Sequence, residues 1–139
     1  MNKKEFLVCN QFFHVYNHAN GKELLFFNDQ NYIYFLKLFS EYITPIADLY
    51  GYCLMNNHFH FLIKIKDEKE VFNYFWSEGK FQNETEKLTS LKQLSNAEGL
   101  DNIDVLSLHI SKQFSNYFNA YAKAINEQEK RRGSLFESP

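Results

Sequence analysis

Cysteine is scarce, and its two copies, Cys9 and Cys53, stand alone. They form neither a Cys-x-x-C pair nor the ladder of a disulfide scaffold. Both fall in apolar, strand-like stretches, which predicts buried free thiols in a reducing, cytoplasmic setting. No apolar run approaches the ~20 residues of a membrane-spanning helix. The segment from Met1 to Asn10 lacks the extended apolar stretch and small-residue cleavage site of a secretory signal. An excess of one charge is also missing: 15 Lys and Arg face 17 Asp and Glu, a net charge of −2. That balance argues against a protein that coats nucleic acid by bulk electrostatics. It leaves room for a local basic groove, because Lys64 and Lys66 sit together and Lys130, Arg131 and Arg132 are consecutive. Much of the acidic charge lies between Asp67 and Asp104, so any nucleic-acid site is confined to one face.

What the chain does have is aromatic side chains, 15 Phe and 9 Tyr in 139 residues, enough for a substantial core in one domain. Phe6 to Tyr16 reads as a strand, and Asn17 to Gly21 supplies turn chemistry. Asn28-Asp29 caps an expected helix from about Gln30 to Tyr42, which Pro45 stops. Ile46 to Met55 is a second expected strand, Asn56-Asn57 a tight turn, and His58 to Lys66 a third strand. Lys69 to about Gly79 reads as a short helix. Residues 82–104 are polar and weakly periodic, an expected irregular insertion. Asp104 is placed to cap a long helix through Glu129, with Leu106, Ile110, Phe114, Phe118 or Tyr117, Tyr121 and Ile125 at helical spacing. Gly133 reads as a stop signal, and Leu135-Phe136 as the start of another extended segment. No internal repeat is evident. This order of elements predicts an α+β fold, with helices packed on one face of a mainly antiparallel sheet.

The third strand carries the clearest chemical signal. Phe59, Phe61, Ile63 and Ile65 alternate with His58, His60, Leu62, Lys64 and Lys66, so the first set belongs in a core and the second on the opposite face. Two imidazoles two residues apart on a strand have Cβ atoms roughly 6–7 Å apart, close enough to share a divalent metal. A bare His-x-His is most often a pair of ordinary polar-face residues. The Asn-Asn turn before it, the apolar alternation after it and the two lysines on its face favour metal binding. Two ligands hold a metal weakly, so a further protein group or a substrate phosphate has to join them.

Three segments resemble the HUH endonuclease superfamily, in particular REP-associated tyrosine transposases and the single-tyrosine transposases of insertion sequences. Phe13 to Asn20 is similar to the first-strand motif of that family. Tyr50 to Ile63 is similar to its metal-binding hairpin, with Asn56 where the family often has proline. Ser111 to Tyr121, followed by Asn126 and Arg131 to Glu137, is similar to its long helix and the turn after it. The resemblance implies a ferredoxin-like domain that cuts single-stranded DNA, often at a hairpin. It implies Mg²⁺ or Mn²⁺ on His58 and His60, a tyrosine nucleophile, a 5′-phosphotyrosine intermediate and a homodimer. In that family the nucleophile lies on a helix beyond the Gly133-Ser134-Leu135-Phe136 segment, and a third metal ligand often comes from the same region. The sequence stops at Pro139, so both are expected outside it, the domain being C-terminally incomplete.

Within the chain, Tyr121 is the one weak substitute for that nucleophile, against the simpler reading that Tyr117 and Tyr121 both pack in the core. Tyr16 reads as a strand core residue, His18 as a turn residue and His109 as a helix-surface residue. His14 approaches the metal only if the first strand neighbours the third; a satisfied sheet histidine is the plainer reading. Lys64, Lys66, Arg131 and Arg132 are the candidate phosphate contacts, solvated charge being equally compatible. Two other functions remain open: a non-catalytic DNA-binding remnant, and a water-using metal hydrolase. For the second, no acidic base is fixed near the histidines by the sequence.

Overall fold

The computed structural model describes residues 6–81 and 105–137, so the expected insertion at 82–104 and the Asp104 cap lie outside the described residues. Three strands, β1 (Phe12–His18), β2 (Ala47–Met55) and β3 (His58–Ile65), form one antiparallel sheet in the order β1-β3-β2. Helix α1 (Asp29–Tyr42) connects β1 to β2, α2 (Glu68–Ser77) follows β3, and α3 (Val105–Glu129) is the long helix. This is the α+β fold that the alternating pattern predicts.

Local chemistry explains the element ends. Asn28, in extended backbone, accepts from the Asn31 N–H and caps α1. Asp67 does the same for α2 through the Glu70 N–H. Asn56-Asn57 is the β2-β3 turn, and its carbonyls are tied to the loop after β1. The Asn57 oxygen accepts from Ala19, and the Asn56 oxygen accepts from Leu25 and Phe26. α3 ends at Glu129, where Lys130 enters left-handed backbone; three residues on, Gly133 turns the chain at φ +85°, a conformation that favours glycine.

The first strand is displaced from its expected position. Cys9-Asn10 forms a turn, with Asn10 at φ +64° and its N–H donating to Ile65, so β1 starts at Phe12 and runs to His18. Leu7 is buried without being part of the sheet. The thiols also depart from expectation: Cys9 is half-buried in that turn, and Cys53 is exposed on edge strand β2.

The core lies between the sheet and the helices. Phe59, Phe61, Ile63 and Ile65 of β3 are all fully buried. Phe35 of α1 sits at the centre, with ring centroids 5.2 Å from Phe59, 5.0 Å from Tyr117 and 4.7 Å from Tyr121. α3 contributes Leu106, Ile110, Phe114, Tyr117, Tyr121 and Ile125 to the same layer. Phe118 is only partly buried, so Tyr117 is the one that joins the stripe. Beyond α3, Phe136 forms an isolated antiparallel bridge with Ala19, just past the end of β1. The other face of the sheet carries none of these helices and presents the histidines.

Candidate metal and nucleic-acid site

Pairing decides which side chains meet. In the β1-β3 ladder His18 is opposite His58, Tyr16 is opposite His60, and His14 is opposite Leu62. On the other side of β3, Met55 faces His58 and Cys53 faces His60. Residues directly opposite share a face, so four histidines gather on the side of two adjacent strands away from the described helices.

Their geometry is specific. The His58 and His60 ring centroids are 5.2 Å apart. His58 Nδ1 lies 2.8 Å from Asn57 Oδ1, which ties the first histidine to the hairpin turn. His60 Nδ1 lies 2.8 Å from His14 Nε2, with the two rings stacked at 5.0 Å. Tyr16 lies against both, tilted on His14 at 4.6 Å and stacked with His60 at 5.9 Å. Desolvation, followed by the like charges that His14 and His58 would carry, holds His60 below its ordinary imidazole value. A neutral imidazole is the form that ligates metal. At the end of the face, His18 Nε2 meets the Glu137 carboxylate at 2.7 Å, and the Glu137 N–H donates to the His18 carbonyl.

Among the described residues no three His, Cys, Asp or Glu side chains are arranged to cage an ion by themselves. His58 and His60 offer two imidazole donors, so an ion held there would need phosphate and water oxygens in its remaining positions.

The remaining candidates separate. Lys64 lies on the histidine face with its ammonium 5.5 Å above the Phe12 ring. Lys66 is 4.0 Å from Asp48, a loose surface pair. Arg132 is exposed. Arg131 is committed internally: its guanidinium donates to Glu23, Asn126 and the Ser134 carbonyl, and its side chain is 13% exposed. Tyr121 is not brought to the histidines. It is fully buried on the helix side, its hydroxyl donates to the Leu25 carbonyl at 2.6 Å, and burial pushes its ionisation far above the phenol range. Tyr117 is equally buried and donates to the Phe35 carbonyl. A hydroxyl that is buried, bonded and hard to ionise is a core group, so the simpler of the two readings of these tyrosines is the one observed.

Three readings of single residues change. Tyr16 is 42% exposed on the histidine face rather than in the core. His18 belongs to β1 rather than to a turn. His109 is half-buried against Phe75 and Phe81 rather than on the helix surface. Glu137, a carboxylate near the histidines, was missed altogether, because 119 positions separate it from His18 and no local pattern links them. Outside this face, a cleft of about 720 Å³ separates α3 from the stretch 133–137; its lining includes Asn17, Phe118 and Arg131 but neither His58 nor His60.

No family model, no curated protein and no solved structure matches this chain. No helix among the described residues is long and apolar enough to cross a membrane.

Proposed function

We propose that this chain is a DNA-nicking domain of the transposase type, which receives single-stranded or hairpin DNA on the histidine face of the sheet. The observation that carries this reading is the His58–His60 pair on that face, each imidazole fixed through Nδ1. The surroundings suit an unpaired strand. Phe12, Tyr16, Tyr50 and Leu62 are exposed together, and the Phe12 and Tyr50 rings meet edge-on at 4.9 Å. Aromatic rings stack on bases of any sequence. Lys64, Lys66 and Arg132 would supply phosphate contacts in a chain that is slightly acidic overall.

His58 and His60 would hold Mg²⁺ or Mn²⁺, and a divalent ion there supplies Lewis-acid polarisation of the scissile phosphate. The reaction is attack of a tyrosine hydroxyl on phosphorus. The new O–P bond gives a 5′-phosphotyrosine, and the departing oxygen becomes a 3′-hydroxyl. Burial disqualifies Tyr121 as the attacking group; the resemblance would place the nucleophile on a further helix. The domain then acts as a cytoplasmic homodimer.

The burial of both α3 tyrosines favours one other reading, a DNA-binding remnant that grips hairpins without cutting them. Incubation with single-stranded hairpin DNA and Mn²⁺ separates the two. Salt-sensitive binding is expected, because phosphate contacts release counterions, and it should weaken in His58→Ala and His60→Ala. A denaturation-resistant protein–DNA adduct identifies the nuclease, and binding without an adduct identifies the remnant. No binding at low salt excludes both.

A further inference from the structure

His58 and His60 are anchored in the same way by different partners. Asn57 Oδ1 only accepts, so the His58 Nδ1 that lies 2.8 Å from it carries the proton, and the lone pair is left on Nε2. The contact between His60 Nδ1 and His14 Nε2, also 2.8 Å, holds one proton between two nitrogens. If His14 donates, His60 is protonated on Nε2 and loses the lone pair that would match its neighbour's. If His60 donates, both members of the pair keep Nε2 open. Metal-ligating imidazoles as a rule donate their other N–H to an acceptor that fixes tautomer and ring orientation.

We infer that His14 is a positioning residue: by accepting the His60 Nδ1–H it selects the tautomer that leaves Nε2 of His60 free to ligate beside Nε2 of His58. This rests on the metal-binding reading of the pair. His14 is well placed for the task. It projects from β1 between Phe13 and Val15, both buried in the core, so its backbone is fixed. Tyr16 packs against the His14 ring at 4.6 Å in a tilted contact and stacks with the His60 ring at 5.9 Å, which limits rotation of either.

The test uses the full chain. Nitrogen-15 NMR of the five imidazoles, with His60→Gln to assign the signal, reports the His60 tautomer without metal. Titration with Mn²⁺ alone, followed by loss of the free-ion EPR signal, reports affinity. The expected result is a Nδ1–H tautomer at His60. His14→Ala should raise the Kd for Mn²⁺ by about 10- to 100-fold, and His14→Gln, whose amide oxygen still accepts, should recover most of that loss. A Nε2–H tautomer at metal-free His60 overturns the inference even if Mn²⁺ binds. A folded His14→Gln as weak as His14→Ala also overturns it, in favour of direct ligation by His14. Failure of the unmodified chain to take up Mn²⁺ overturns the metal reading instead, and the tautomer measured without metal still decides whether His14 positions His60.

Discussion

Tyr121 shows how a single hydroxyl can be read from its surroundings. Its donation to the buried Leu25 carbonyl is a tie between α3 and the loop before α1. Tyr121→Phe leaves that carbonyl without its donor and should cost about 1–3 kcal/mol in urea unfolding, with hairpin-DNA binding unchanged. A loss of DNA binding without a loss of stability would contradict the core assignment. His60 gives a pH dependence with a definite sign. Its folded pKa lies below the ordinary 6.5, chiefly through desolvation and then through His14 and His58. The unfolded chain therefore takes up this proton first as pH falls. The contribution of His60 to stability is complete above about pH 6.5 and is lost as pH drops through the folded value. The urea midpoint should fall on acidification, and His60→Gln should flatten that fall.

Among the elements, α1 depends on two asparagines that do different work. Asn28 caps the helix, and Asn28→Ala should cost ~1 kcal/mol. Asn31, nearly buried, accepts from the Phe27 N–H and exchanges hydrogen bonds with Gln128 near the end of α3. Thermal unfolding of Asn28→Ala, Asn31→Ala and the double variant should show Asn31→Ala as the more destabilising, because it leaves more than one buried group unpaired. β3 was legible because its period of two is unbroken over eight residues, and one face is fully buried. β1 was legible as a strand but not in its limits. Leu7 and Val8 are as apolar as any strand residue, and only the left-handed turn at Asn10 shows that they pack outside the sheet.

For the whole molecule, the stretch after α3 is tied to the end of β1 and the loop that follows it. Arg131 binds Glu23 and Ser134, the Asn20 N–H donates to Leu135, and Glu137 meets His18. Arg131→Lys removes the planar fork that reaches several acceptors at once. Amide exchange at Asn20 and Glu137 should then rise by about 10- to 100-fold, in line with hydrogen bonds to charged groups worth about 1.5–3 kcal/mol, while β3 amides stay protected. Equal acceleration throughout would mean that the tie is a global rather than a local support. Phe35→Ala tests the core itself and should cost about 3–5 kcal/mol, since this ring touches both the sheet and α3.

The sequence by itself determined the elements, the buried face of β3 and the pairing of His58 with His60 on one side, because side-chain alternation and helical spacing are local properties of the chain. Only the tertiary structure decided which strand lies next to β3. That choice puts His14 against His60, brings Glu137 to His18, ties Arg131 to Glu23 and sends Tyr121 into the core. Each of these contacts joins residues at least 46 positions apart, and their partnership depends on sheet order and helix docking rather than on any nearby residue.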